Sequence, residues 1–178
     1  MKTHRMAWAV LSLAAVTLLA LPAHAQLDSN QANVQLNAVL AESLSVSATP
    51  GLVNFALAGA GVSPGDAPIA ITTTWALSGS RTNVSLHAYF SSSVALTDGT
   101  NNIPTSNVHG SVNGGGFGPF TNVGAFSNDS IQVFSTAITD ANRSATANDS
   151  LALQIDTTGL GLPAGTYTGT LNIQARAI

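Results

Sequence analysis

Apolar side chains recur at every second position through most of this chain, between short clusters of Gly, Pro, Asn and Ser. That is the period of a strand, whose side chains point alternately to opposite faces. Val34, Leu36, Ala38 and Leu40 make the first run, interleaved with Asn33, Gln35 and Asn37. Leu44, Val46 and Ala48 make a second, stopped by Pro50-Gly51, and Val53, Phe55 and Leu57 a third, closed by Gly59-Ala60-Gly61. Ile69, Ile71, Thr73, Trp75 and Leu77 share one face of a longer run, which Ser78-Gly79-Ser80 turns into Val84, Leu86, Ala88 and Phe90. Val94-Ala95-Leu96 leads into Asp98-Gly99, a strong turn signal. Ile131 and Val133 follow, then Leu151, Leu153 and Ile155, and the chain ends on Tyr167, Leu171, Ile173, Ala175 and Ala177. No segment beyond the N-terminal leader holds a helical i, i+3, i+4, i+7 pattern, and the runs are rich in Val, Ile and Thr. The expected fold class is all-β: an antiparallel Ig-like or pilin-like β-sandwich of about seven to nine strands. A closed barrel is the competing arrangement.

The first 25 residues read as a processing signal. Lys2, His4 and Arg5 form a positive start, Ala7 to Leu21 an apolar stretch, and Pro22-Ala23-His24-Ala25 a cleavage site with small residues three and one positions before the cut. The apolar stretch is short for a bilayer, which needs about 20 residues, and no later run is long enough to span. No Cys follows the cleavage site and no twin-Arg pair precedes it. Export by the general secretory route is expected, to the periplasm, cell surface or medium. Gln26–Ile178 is then a single domain with enough chain for a real core.

Charge narrows the partners. Lys2 and Arg5 leave with the signal, so the mature chain keeps Arg81, Arg143 and Arg176 against all eight acids and has no lysine. Such a surface has little with which to neutralise phosphates, so nucleic acid and anionic lipid are not expected partners. The chain has no Cys, which removes thiolate chemistry and Cys-based metal sites.

Several short motifs suggest chemistry, and their context argues against each. Gly61-Val62-Ser63-Pro64-Gly65 matches a hydrolase nucleophile elbow, but the residue after the serine must donate its backbone N–H, and Pro64 has none. His87 falls between Leu86 and Ala88 on a strand, pointing outward to solvent; His109 lies in a Gly/Asn-rich stretch; neither has a patterned carboxylate partner. Asp140-Ala141-Asn142-Arg143-Ser144 starts like a calcium loop, then places Ala145 at the turn glycine and Leu151 at the bidentate acid. The same five residues fit an acidic-x-Asn-x-Ser glycosylation acceptor, though an exposed polar turn explains them as well. Gly114-Gly115-Gly116-Phe117-Gly118 lacks the Lys-Ser/Thr of a phosphate loop. Trp75 sits on an alternating apolar face, as a core aromatic does. Residues 99–129 carry the weakest pattern and read as a long Gly/Asn-rich surface loop with one short strand, pinned by Phe117, Phe120 or Phe126. No catalytic residue, cofactor or metal is expected.

Two stretches carry a family likeness. Ala32–Phe55 combines an alternating first strand, a short second one and a V-x-F strand; Leu162–Ile178 has a Pro-Ala-Gly-x-Tyr-x-Gly turn feeding a long alternating terminal strand from Thr166. Together they resemble bacterial secreted pilin-like sandwiches, notably the spore coat protein U family that includes archaic chaperone–usher pilins. The resemblance implies an incomplete sandwich completed by an N-terminal strand from a neighbouring subunit. Val34, Leu36, Ala38 and Leu40 would then fill the neighbour's groove, behind a leader Gln26–Gln31; the plainer reading makes them the first strand of a self-contained sandwich. The function expected is a non-catalytic structural or adhesive surface protein, a fibre subunit in its sharpest form, with itself or other envelope components as partner. A monomeric carbohydrate- or ligand-binding module using the loop and exposed aromatics is the alternative.

Overall fold

A computed structural model of the chain describes residues 27–121 and 125–178, so the signal segment Met1–Ala25 lies outside the described residues. The chain divides between Ala38 and Val39, and every strand belongs to the body Val39–Ile178. Among the described residues its eleven strands, all paired antiparallel, are β1 (Ser43–Thr49), β2 (Val62–Pro64), β3 (Ile69–Ala76), β4 (Asn83–Tyr89), β5 (Val94–Thr97), β6 (Asn102–Pro104), β7 (Val108–Val112), β8 (Gly118–Pro119), β9 (Ser130–Ala137), β10 (Ser144–Asp156) and β11 (Asn172–Ala177). The described residues contain no α-helix, and no helix long and apolar enough to cross a membrane.

One sheet runs β1-β3-β10-β7-β8, with β2 paired to β10 beyond the end of β3. The other runs β11-β4-β9, and β5 and β6 form a separate ribbon. Neither sheet closes on itself, so the barrel arrangement is not adopted. The period-two pattern explains which faces meet. Ile69, Ile71 and Trp75 of β3 and Leu151, Leu153 and Ile155 of β10 are buried from one sheet, while Val84, Leu86 and Ala88 of β4 and Val133 of β9 are buried from the other. Between them these apolar faces leave water on folding, at roughly 25 cal/mol per Å². The long strand β10 ties the larger sheet together, since it pairs with β3 over Ser144–Leu151 and with β7 over Leu151–Ile155. Trp75 is buried as expected, stacks on Phe134 at 6.2 Å, and gives its indole N–H to the Asn142 carbonyl at 2.8 Å.

The structure departs from the sequence pattern in five places. Residues 99–129 are not one loop: they hold β6, a 3-10 turn at Thr105–Asn107, β7 and β8, which is largely why there are eleven strands. Gly110, read as a loop glycine, is a strand residue in β7 whose missing side chain makes room. A Cβ there would lie 3.0 Å from Leu151 and 3.3 Å from the Phe120 ring. Phe120, fully buried, occupies that space edge-on to Phe90 at 5.1 Å. Of the three phenylalanines expected to pin this stretch, Phe120 does so in the core and Phe117 stays exposed.

His87 is the second departure. It is 6 % exposed rather than solvated. A register shift between β4 and β9 falls at Leu86/His87, and Phe126 packs edge-on over the imidazole at 5.9 Å. Burial, helped by the nearby Arg176 charge, lowers its pKa below the ordinary 6.5. The native state therefore holds fewer protons than the unfolded chain just below that value, so stability falls as pH drops through about 6.5 and levels off once native His87 itself is protonated. Urea midpoints measured from pH 7.5 to 5 should show this slope, and His87→Gln should flatten it.

The third, fourth and fifth departures are the alternating runs at residues 34–40, 53–57 and 166–171. None of them is a strand. Phe55 and Thr168 make only isolated bridges, to Gly65 and Thr97, and the terminal strand is limited to Asn172–Ala177.

Candidate functional site

Two strands border an opening along one side of the body. β1 is paired only to β3 and β11 only to β4, so among the described residues no strand occupies the other edge of either. The neighbouring chain keeps the opening apolar. Beyond β1, residues 50–58 leave the sheet, held by Asp66, whose carboxylate accepts the Asn54 backbone N–H at 3.0 Å and its side-chain amide at 2.8 Å. These hydrogen bonds from Asn54 hold the Asp66 pKa below the usual carboxylate value. Before β11, residues 162–169 pass against β5, with Thr168 bridged to Thr97. Tyr167 donates its hydroxyl to the Pro163 carbonyl at 3.0 Å. Its own pKa is raised by burial and by the adjacent Asp98 carboxylate. Asp98 in turn accepts hydrogen bonds from Asn101 and Thr100 that bring it down to about 2.

Between these walls lie two adjoining cavities of about 700 and 290 Å3. Val53, Phe55, Leu57, Leu96, Leu162 and Tyr167 line the larger, and Ala48, Phe90, Leu153, Leu171 and Ile173 the smaller. Neither is lined by a charged side chain. A third, shallower recess continues the line between Leu44 of β1 and Gln174–Ala177 of β11. The two cavities thus form a trough without charged side chains, while Glu42, Arg81 and Arg176 line the third recess beyond them. The uncharged part suits an extended apolar segment.

The sequence supplies such a segment. Val34, Leu36 and Leu40 are 81 %, 93 % and 91 % exposed, and the whole stretch 27–42 lacks strand structure. Ala38, the fourth residue of the run, is exposed as well. Soluble proteins rarely leave contiguous apolar surface uncovered, and where they do it marks an interaction.

The other residues singled out from the sequence do not converge. Ser63 lies buried in β2, not on an elbow, and its hydroxyl accepts the Ala58 N–H at 3.1 Å. His109 sits in β7 opposite Gln154 and Pro119, on the other sheet from His87. Among the described residues no cluster of three or more His, Asp or Glu could hold a metal. Asp140 pairs with Arg143, and Asn142 closes the β9–β10 turn: its side-chain oxygen accepts the Thr139 N–H at 2.7 Å and its amide donates to the Ala137 carbonyl at 2.9 Å. Gly114, with φ +74°, completes the tight turn after β7 begun by Asn113. Sequence reasoning missed one wall of the seam. Val53, Phe55 and Leu57 read as a strand, and only their Pro50-Gly51 and Gly59-Ala60-Gly61 borders hinted that the run stands outside the sheets. No protein-family model matches this chain, and no curated protein matches it.

Proposed function

We propose that this protein is an exported, non-catalytic structural subunit whose copies join by strand addition. The N-terminal segment of one copy, through Val34, Leu36, Ala38 and Leu40, fills the seam of the next. The observation that carries the reading is the coexistence on one chain of an exposed alternating apolar segment and an apolar trough with two unpaired strand edges. The physics is β-augmentation: backbone hydrogen bonds to an open edge give affinity, and alternate side chains entering pockets give specificity. Moving a Val or Leu side chain out of water contributes about 1.5–3 kcal/mol each, so three of them supply a useful fraction of a micromolar association, about −8 kcal/mol, even after ordering costs. Extended, the nine residues Ala32–Leu40 reach about 30 Å at 3.3 Å each. The leader Met1–Ala25 supports secretion, and the likeness to pilin-like sandwiches of the spore coat protein U kind supports a place at the cell surface.

The test compares mature chain 26–178 with chain 43–178, both refolded at matched concentration. The mature chain should form a concentration-dependent ladder of oligomers by sedimentation. The trimmed one should remain monomeric, and a synthetic peptide of residues 30–41 should raise its melting midpoint by several degrees. Identical sedimentation of the two chains together with an inert peptide sinks the reading.

A further inference from the structure

The apolar segment and the wall of the seam before β11 match residue by residue in one alignment. We infer that Ala38 of one copy lies opposite Tyr167 of the next, with the segment antiparallel to residues 165–177; the inference rests on the strand-addition reading above and gives that reading its register.

The first observation is the state of the backbone along this wall. Thr168 exchanges two backbone hydrogen bonds with Thr97 of β5, each 2.9 Å long. Successive residues of an extended chain turn their N–H and C=O groups to opposite sides. Those of Tyr167 and Gly169 therefore turn away from β5, toward the seam, and among the described residues neither has a backbone partner. Neither Gly165 nor Gly169 has a positive φ. The stretch is ready for an antiparallel partner, in which every second residue exchanges a pair of hydrogen bonds. With Ala38 opposite Tyr167, the two paired positions are Ala38 and Leu36.

The second observation is size. The wall reads Gly165, Tyr167, Gly169, Leu171, Ile173 along its inward face, and the segment read backwards offers Leu40, Ala38, Leu36, Val34, Ala32. Facing positions pack best where a large side chain meets a small one. Here both leucines meet glycines, and the two alanines meet Tyr167 and Ile173. A slip of two residues one way sets Leu40 on Tyr167 and leaves Ala38 over Gly169. The opposite slip sets Leu36 on Tyr167 and leaves Ala38 over Gly165. A slip of one residue turns the polar face of the segment inward. Reversing the segment about the same pair carries Val34 to Pro163 and leaves Leu171 and Ile173 uncovered.

Charge agrees with this direction. Asp28 is the only charged side chain in residues 26–41, and the register brings it level with Ala177. That is the recess lined by Arg81, Arg176 and Glu42. Glu42 is paired with Arg81, so Arg176 leaves the recess with a net positive charge.

The chain has no Cys, so engineered disulfides read the register directly. Mature chain carrying Gln35→Cys is mixed with affinity-tagged mature chain carrying Thr170→Cys and oxidised; the two positions face each other in the inferred alignment. A disulfide needs Cα atoms about 4.4–6.8 Å apart, which opposite residues satisfy and residues two places along, at about 7–8 Å, do not. The mixed dimer should therefore form about tenfold faster or more with Thr170→Cys than with Thr168→Cys or Asn172→Cys. Ala38→Leu, an exposed position in the unjoined chain, should weaken joining about tenfold or more by overpacking against Tyr167; over a glycine it would strengthen joining instead. Faster linkage at 168 or 172 than at 170, or joining unchanged or tightened by Ala38→Leu, overturns the register and leaves strand addition standing. Linkage at all three positions no faster than to Ser144→Cys, which lies on β10 away from the seam, means that strand addition itself is wrong.

Discussion

Leu36→Asp in the mature chain is expected to weaken joining between copies about 1000-fold while leaving the body's own unfolding unchanged. Leu36 is 93 % exposed in the isolated chain, so its replacement removes no contact on which the body depends, and substitutions at such surface positions usually change stability by less than about 0.5 kcal/mol. In the joined state the same side chain would sit in a trough lined by groups such as Phe55, Leu57 and Leu171, with no charged partner. Losing the leucine forgoes about 1.5–3 kcal/mol of transfer free energy. Placing a carboxylate in an apolar site costs several more, or forces it to take up a proton. A combined penalty of about 4 kcal/mol is the 1000-fold change. Gln35→Asp is the matched control, since it adds the same charge at the neighbouring position on the opposite face of an extended segment. It should shift the dissociation constant by no more than about threefold. Sedimentation equilibrium across a concentration series reads both. Equal weakening by the two substitutions would mean that net charge, not insertion of one face, controls association.

How far the sequence revealed this arrangement follows from the physics of each element. The strands of the two sheets were legible because one side of each faces a common core, and burial of one face imposes period two. Ile69, Ile71, Thr73 and Trp75 in β3, and Leu151, Leu153 and Ile155 in β10, are buried in the register their spacing predicts. The same rule misled at residues 34–40 and 53–57. Alternation records that one face needs cover and says nothing of which chain supplies it, so an unpaired segment and a core strand look alike. At β7 the error ran the other way: glycine is the usual mark of a loop, but Gly110 is a strand position kept small by Phe120 and Leu151. His87 escaped because a bulge and a distant phenylalanine, neither visible in local pattern, cover the outward face of β4. The donor half of the proposed pairing was therefore readable from Val34, Leu36, Ala38 and Leu40. The acceptor half required knowing which edges remain open.

Gly169→Ala is the substitution in the body expected to cost most, and its effect bears on the seam as well as on stability. A Cβ built at this position would lie 1.8 Å from the carbonyl oxygen of Ala95 and 2.9 Å from its carbonyl carbon. Those are backbone atoms of β5, which cannot swing aside as a side chain would, so one of the two segments must move. Overpacking of this kind costs about 3 kcal/mol or more, which in a domain of this size lowers the melting midpoint by roughly 10 °C. The displacement is not neutral for function, because Gly169 lines both cavities of the seam and stands three residues before β11. Pushing residues 162–169 off β5 breaks the reciprocal backbone pair between Thr168 and Thr97, each 2.9 Å long, and shifts the wall that carries Tyr167. Gly116→Ala provides the comparison: a Cβ there meets nothing within 4 Å, and the position is not one of positive φ. It should leave the melting midpoint within about 2 °C and assembly unchanged. For Gly169→Ala, thermal denaturation followed by circular dichroism gives the stability, and binding of a residue 30–41 peptide to folded chain 43–178, measured well below the lowered midpoint, gives the seam. A loss of stability with full peptide affinity would mean that the close contact between residues 95 and 169 holds the fold without shaping the trough. Loss of both is the outcome that the geometry requires, because the same glycine that lets the C-terminal segment cross β5 also sets the width of the opening beside β11.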